Sequence, residues 1–135
     1  MSATVLVVED EPDIRLTIRL ALQSHDHRVV EMSTGEDALS FFDVSPPDVT
    51  ILDVALPGID GLEVARRIRA DQRFHEARII VTSAHASREV RRLAVALGCS
   101  GYLTKPFSTR ELVALVEQVL ASAGPAPDES ATPAG

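Results

Sequence analysis

Acidic side chains follow two apolar segments of this 135-residue chain, and a lone lysine follows a third. Glu9 and Asp10 come after the first segment and Asp53 ends the second. Lys105 comes after the third. If these segments are neighbouring parallel strands, three carboxylates and one ammonium meet at the edge where the strands end. Clustered carboxylates raise one another's pKa, and a hard divalent cation such as Mg²⁺ relieves their repulsion. The spacing therefore predicts a metal-dependent site that handles phosphate.

A carboxylate beside such a cation can act as a nucleophile towards phosphorus, as in aspartyl-phosphate ATPases. Asp10 and Asp53 offer the oxygen ligands that Mg²⁺, or Mn²⁺ in its place, prefers. Lys105 can neutralise the oxygens of an incoming phosphoryl group. A hydroxyl at the end of the fourth predicted strand can hold a further phosphoryl oxygen, and the register favours Ser83, with Thr82 as second choice. These residue types predict phosphoryl transfer to Asp53.

Short apolar runs alternate with segments of helical periodicity along the chain. Runs without polar alternation are typical of parallel strands covered on both faces. We expect five strands, at residues 4–8, 28–32, 48–53, 77–82 and 101–104. Each is followed by an amphipathic segment, the first opened by Pro12 and ending near Ser24, the last capped by Ser108 or Thr109. This alternation predicts an α/β fold with a doubly wound parallel sheet and right-handed crossovers.

Composition narrows the classes of function. The net charge is -7, so the chain has no excess of basic residues with which to bind a polyanion. We therefore expect no direct nucleic-acid binding. The single cysteine, Cys99, cannot form an internal disulfide, and the N-terminus lacks the pattern of a leader peptide. We therefore expect a cytoplasmic location. No apolar run approaches the roughly 20 residues that span a bilayer, so we expect no membrane partner.

The length and the single series of elements predict one domain, residues 4–121. Residues 122–135 have no apolar period and are rich in Pro, Gly, Ala and Ser, which is typical of a flexible tail. The four histidines lack the spacing of metal ligands on one helix face, so we expect surface roles for them. Three arginines of the fourth helical segment form either a patch for a partner or a solvated face: Arg88, Arg91 and Arg92.

Four motifs, in their order and spacing, resemble the receiver domain of two-component response regulators. They are Val7-Val8-Glu9-Asp10-Glu11-Pro12, Asp53-Val54-Ala55-Leu56-Pro57-Gly58-Ile59-Asp60-Gly61, Thr82-Ser83-Ala84 and Lys105-Pro106-Phe107. The resemblance covers about residues 4 to 120. It implies the flavodoxin-like (βα)5 three-layer sandwich of chemotaxis-type receivers, with parallel strand order 2-1-3-4-5. That order would place the first and third strands side by side.

The resemblance also implies roles for individual residues. Asp53 would accept a phosphoryl group from a sensor histidine kinase or a histidine phosphotransfer protein. Asp10 and Asp53 would bind Mg²⁺ directly, Glu9 would act mostly through a metal-bound water, and Ala55 would contribute its backbone carbonyl. Lys105 would pair with the phosphoryl group, and its peptide bond to the following proline is often cis in such domains.

In the switch that the resemblance implies, Ser83 moves towards the phosphate and Tyr102 turns inward into the space it leaves. The changed face, formed by the fourth helix, the fifth strand and the fifth helix, would bind an output partner that the sequence does not name. The protein would be a monomer or a phosphorylation-dependent dimer. It would be no enzyme in the ordinary sense, since it catalyses only its own phosphotransfer and dephosphorylation.

Two other classes of protein share parts of this pattern. A magnesium-dependent phosphohydrolase with an Asp nucleophile carries a second Asp two residues later as general acid, and Ala55 stands at that position. A flavin or dinucleotide-binding module needs a glycine-rich or hydroxyl-rich phosphate loop after the first strand, and none follows Val8. Turnover of phosphomonoesters would favour the first class, and a bound chromophore or nucleotide would favour the second.

Overall fold

The structure, a computed structural model, describes residues 2–84 and 87–122. Within these ranges five strands alternate with five α-helices, and a short 3-10 helix, Gln72–Phe74, precedes the fourth strand. The strands are β1 (Thr4–Val8), β2 (Arg28–Met32), β3 (Val49–Asp53), β4 (Ile79–Ser83) and β5 (Gly101–Thr104). The helices are α1 (Pro12–Gln23), α2 (Gly35–Val44), α3 (Gly61–Ala70), α4 (Arg88–Ala96) and α5 (Thr109–Ala121). His85 and most of the predicted tail, residues 123–135, lie outside the described residues.

All strand pairs are parallel, and their order is β2-β1-β3-β4-β5, which confirms the predicted topology. Val8 pairs with Leu52, and Asp53 pairs with Thr82. The carboxyl ends of β1, β3 and β4 therefore lie level at one edge of the sheet. This edge is the switch point at which ligands bind in doubly wound folds.

Helices cover both faces of the sheet, because successive strand residues point to opposite sides. Leu6 and Val8 belong to the cluster of buried side chains that includes residues of α2, α3 and α4. Val5 and Val7 belong to the second cluster, with residues of α1 and α5. The three-layer sandwich follows from these two cores.

Side chains cap four of the α-helices at their N-termini. Thr34, Asp60 and Ser87 accept from backbone N–H groups of the first turns of α2, α3 and α4. Ser108 caps α5 and forms a capping box with Glu111, which decides between the two predicted capping residues. In α1 the N-cap residue makes no such bond.

The predicted start of the fourth strand is wrong by two residues. Ala77 donates its N–H to the carbonyl of Phe74 at 3.0 Å and so closes the turn that follows the 3-10 helix. Strand pairing begins only at Ile79 and extends to Ser83. The apolar pattern alone does not distinguish a turn residue such as alanine from a strand residue.

The surface position expected for the histidines is wrong for His27, which is 4% exposed. Its Nδ1 accepts the N–H of Ala3 at 3.2 Å, and its Nε2 lies 2.9 Å from Glu117 Oε2. Because Nδ1 accepts, the ring proton sits on Nε2 and is donated to the carboxylate. His27 thus joins the start of β1 to α5, at the opposite end of the sheet from the acidic cluster.

Arg69 holds the C-terminal end of α4. Its guanidinium donates to five backbone carbonyls, those of Leu97, Gly98, Ala77, His75 and Phe74. Gly98 has a φ of 69°, a conformation that favours glycine, and it follows the C-terminal end of the helix. One half-buried cation therefore joins α3, the segment before β4 and the segment after α4.

In the described part of the chain, no helix is long and apolar enough to cross a bilayer.

Candidate metal and phosphate site

Side chains from three strand ends meet at the switch-point edge. Glu9, Asp10 and Asp53 each offer a carboxylate oxygen, and these oxygens lie within 4.8 Å of one another. Lys105 Nζ lies 2.8 Å from Glu9 Oε1 and 3.1 Å from Asp53 Oδ2. The structure thus brings together the four charged residues on which the sequence interpretation depends.

Burial governs the charges of this cluster. Glu9 and Asp53 are each 2% exposed, whereas Asp10 faces solvent. Burial raises the pKa of Glu9, an effect reduced by hydrogen bonds from Lys105 and from the Glu11 N–H and increased by the charge of Asp53. Burial opposes the charged form of Lys105, but its hydrogen bonds to the two carboxylates outweigh this and raise its pKa. The lysine stays a cation, and negative charge remains in excess.

The donor set fits a divalent cation. Within the described residues, Asp53 Oδ1 is buried and has no hydrogen-bond partner, whereas Oδ2 faces Lys105. A buried carboxylate oxygen without a partner is costly, and a bound cation removes that cost. Three neighbouring carboxylates supply hard oxygen ligands, which Mg²⁺ prefers. The residues present therefore fit a magnesium ion beside Asp53.

The turn after β3 fixes the backbone of Asp53. Val54 donates its N–H to the carbonyl of Thr82 at 2.9 Å, and its own carbonyl accepts from Leu56 and Gly61. A Cβ on Gly61 would collide with the carbonyl of Asp53, so this close approach requires glycine. Ala55 lies in this turn and is exposed. Its position beside Asp53 leaves its backbone as the part of the residue that can serve a ligand.

The loop after β1 is held by three hydrogen bonds at Glu9. Its N–H donates to the carbonyl of Met32 at 3.1 Å, and its Oε2 accepts the N–H of Glu11 at 3.2 Å. Its carbonyl accepts from Arg15 Nη1 at 2.8 Å. The contact of Arg15 is not visible in the sequence, because a position on the polar face of α1 is typical of a solvated side chain.

Two buried hydroxyls end β4. Thr82 is 1% exposed and pairs with Asp53, and Ser83 is 4% exposed and occupies the last position of the strand. The carbonyl of Ser83 accepts the N–H of Lys105 at 2.7 Å, and the Lys105-Pro106 peptide bond is cis. Ser83 therefore lies beside Lys105, one residue beyond the level of Asp53.

Tyr102 lies on β5, half-buried against the core that faces α4. The guanidinium carbon of Arg91 is 5.0 Å from the centre of its ring, a cation–π contact. Helix α4 buries only Ala94 fully, whereas Leu93 and Val95 are 44% and 60% exposed. Little apolar surface holds the helix that covers Tyr102.

A doubly wound domain with clustered acids and a lysine at its switch point defines an α/β protein with a candidate site for a metal ion and phosphate. Residues 5–117 match the family model described as the response regulator receiver domain. The chain belongs to the response regulator receiver family. As a receiver domain it is a module of two-component signalling, a class that kinases phosphorylate on an aspartate, and its relatives are response regulators rather than phosphohydrolases.

Three relatives illustrate the match. The phosphate regulon transcriptional regulatory protein PhoB of Pseudomonas aeruginosa PAO1 is 35% identical over 127 residues, which cover 94% of this chain and 56% of that protein. This chain thus spans about half the length of that relative. A putative response regulator from Chloroflexus aurantiacus has a TM-score of 0.85 at 31% identity, covering 90% of this chain and 100% of that one. A LuxR-family two-component response regulator from Aurantimonas sp. SI85-9A1 has a TM-score of 0.84 at 30% identity, covering 96% and 92%.

Proposed function

We propose that Asp53 is the phosphoacceptor of this receiver domain. The observation that carries the proposal is the asymmetry of its carboxylate, with Oδ2 3.1 Å from Lys105 Nζ and Oδ1 buried without a hydrogen-bond partner in the described part of the chain. One oxygen of the Asp53 carboxylate forms a bond to phosphorus as the phosphorus–nitrogen bond of a donor phosphohistidine breaks, and the other oxygen stays available as the metal ligand. The imidazole leaves with the electron pair and takes up a proton. Lys105 pairs with the transferred phosphoryl group.

The metal site belongs to the same proposal. Asp10 and Asp53 hold Mg²⁺ or Mn²⁺ directly, Glu9 acts through a water, and Ala55 supplies its backbone carbonyl. When bound, the ion supplies positive charge beside the phosphoryl oxygens. Support comes from the close approach of the three carboxylates and from the excess of negative charge that Lys105 leaves uncompensated.

Phosphorylation then changes the face of α4, β5 and α5. Ser83 moves to hydrogen-bond the phosphoryl group, and Tyr102 turns inward. The lightly buried α4 supports this step, because it buries only Ala94 fully and little packing holds it in place. The donor is a sensor histidine kinase or a histidine phosphotransfer protein, and the output partner binds the changed face. The domain acts in the cytoplasm, as a monomer or as a phosphorylation-dependent dimer.

We further propose that residues 4–121 form this receiver domain. The family match over residues 5–117 supports these bounds of the domain. The domain catalyses only its own phosphotransfer and dephosphorylation.

Acid-labile phosphate uptake tests the proposal. The full chain is incubated with a small acyl phosphate and Mg²⁺, and the incorporated phosphate is measured by mass spectrometry in wild type, Asp53→Asn and Asp13→Asn. Asp13 is an exposed carboxylate in the first turn of α1 and serves as the matched control. We expect labelling of wild type and Asp13→Asn and none of Asp53→Asn. Equal labelling of all three proteins would overturn the assignment.

A further inference from the structure

Helix α1 differs from the other α-helices of the described chain in how its N-terminus is held. Side chains cap the other four, whereas Glu11, the N-cap residue of α1, makes no side-chain hydrogen bond to the first turn. The loop that leads into α1 carries Glu9 and Asp10, two of the clustered acids. A loop that holds two candidate metal ligands in place needs a fixing contact, and a capping side chain does not provide one at the start of α1.

Arg15 supplies that anchor from the second turn of α1. Its Nη1 donates to the carbonyl of Glu9 at 2.8 Å, and its side chain is 21% exposed. Its Nε lies 3.3 Å from Glu31 Oε1, and the other oxygen of Glu31 lies 3.1 Å from Arg19 Nε. One guanidinium thus contacts both the peptide that joins Glu9 to Asp10 and a carboxylate on β2.

We propose that Arg15, oriented by Glu31, is a positioning residue that holds the peptide between Glu9 and Asp10 in the geometry needed to bind Mg²⁺. The proposal rests on the proposed function, because it takes the clustered acids as the metal site. A planar guanidinium suits the task, since its rigid fork of donors serves two acceptors at fixed angles. Groups that orient metal ligands in this way commonly change metal affinity by 10–100-fold when they are removed.

The sign of the effect separates positioning from simple electrostatics. Arg15 brings a positive charge close to three carboxylates, so removal of that charge alone would strengthen the binding of a cation. Loss of the anchor would weaken it, because the Glu9 carbonyl and the acids beside it would no longer be held in place. A fall in Mg²⁺ affinity after removal of a positive charge therefore has no Coulombic explanation.

Isothermal titration of Mg²⁺ into the full chain tests the proposal, with wild type, Arg15→Met and Arg19→Met at the same pH and salt concentration. Arg19 shares Glu31 but makes no bond to Glu9 in the described structure, so its variant is the matched control. We expect Arg15→Met to raise the Kd for Mg²⁺ about tenfold and Arg19→Met to leave it unchanged. Urea unfolding without Mg²⁺ should show both variants folded, with Arg15→Met the less stable because it loses the hydrogen bond to the Glu9 carbonyl as well as one partly exposed ion pair.

An unchanged or tighter Kd for Arg15→Met, or an equal loss in Arg19→Met, would overturn the proposal. Should Arg15→Met fail to fold, Arg15→Lys serves instead. Its ammonium keeps the charge but cannot span both acceptors, so the Kd should again rise, and an unchanged value would count against positioning. Absence of Mg²⁺ binding by the wild type would instead remove the proposed metal site itself. Phosphate uptake at Asp53 with normal Mg²⁺ binding in Arg15→Met would leave the proposed function standing and overturn only the role of Arg15.

Discussion

Lys105 Nζ lies 2.8 Å from Glu9 Oε1, although 96 residues separate the two in the chain. Lys105 is the only lysine of the protein, and its side chain is 15% exposed at the point where the acids converge. It can compensate the charge of only one carboxylate, whereas three carboxylates lie close together at this point. The pocket is therefore built to take up a further cation, and four predictions follow from its geometry and from the framework around it.

Replacement of Lys105 separates its effect on stability from its effect on Mg²⁺ binding. Lys105→Met leaves two buried carboxylates without their counter-ion, so the free energy of unfolding without Mg²⁺ should fall by about 3 kcal/mol at neutral pH. The same change removes a competing cation, so Mg²⁺ should bind more tightly than to wild type. Urea unfolding and isothermal titration measure the two quantities. Weaker Mg²⁺ binding by the variant would show that Lys105 does not compete for these oxygens.

The raised pKa of Glu9 predicts how stability depends on pH without metal. A carboxyl whose pKa is higher in the folded state than its ordinary 4.5 contributes stability that is fully present below pH 4.5 and is lost as the pH rises through the folded-state value. The free energy of unfolding should therefore decline over this window more steeply in wild type than in Glu9→Gln. Taking the difference between the two proteins cancels the other titrating groups. Parallel curves, measured by urea unfolding in steps of pH, would contradict the prediction.

The contact of Gly61 with the Asp53 backbone predicts a coupled loss. In Gly61→Ala the new methyl group collides with the Asp53 carbonyl, so the turn must shift, at a cost of about 2 kcal/mol. Phosphate uptake should fall with it, because Oδ1 moves relative to Lys105. Gly98→Ala is the control, since it strains a residue with positive φ beside Arg69, away from Asp53. A variant of Gly61 that takes up phosphate at the wild-type rate would argue against this coupling.

The hydrogen bonds of Arg69 predict a large loss of stability without a loss of chemistry. Arg69→Ala leaves five carbonyls without their donor, so the free energy of unfolding should fall by about 3 kcal/mol. Arg66→Ala is a fitting control, because Arg66 lies one turn earlier on α3, is exposed and forms its hydrogen bonds and ion pair with Glu63. Denaturant unfolding measures both variants, and equal stabilities would contradict the anchoring role. Below its unfolding transition, Arg69→Ala should still take up phosphate on Asp53.

The sequence alone determined the elements and the chemistry of the site. The apolar runs, the glycine after α4 and the hydroxyls before the helices are local signals, because strand, turn and cap formation depend on residues a few positions apart. The acids at the strand ends and the lone lysine also indicated a phosphate site, because the carboxyl ends of parallel strands lie at the same edge of a sheet. The predicted start of β4 was wrong because a small apolar residue such as Ala77 is compatible with a turn as well as with a strand.

Only the tertiary structure decided how distant side chains are used. Arg15 and Arg69 look like ordinary surface residues in the sequence, yet one holds the Glu9 carbonyl and the other joins three segments. His27 looks exposed and is buried between Ala3 and Glu117. Long or polar side chains take their partners from whatever backbone and charges lie within reach once the sheet and helices have assembled. The pattern of residues along the chain does not show which distant groups come together, so these contacts can be seen only in the folded protein.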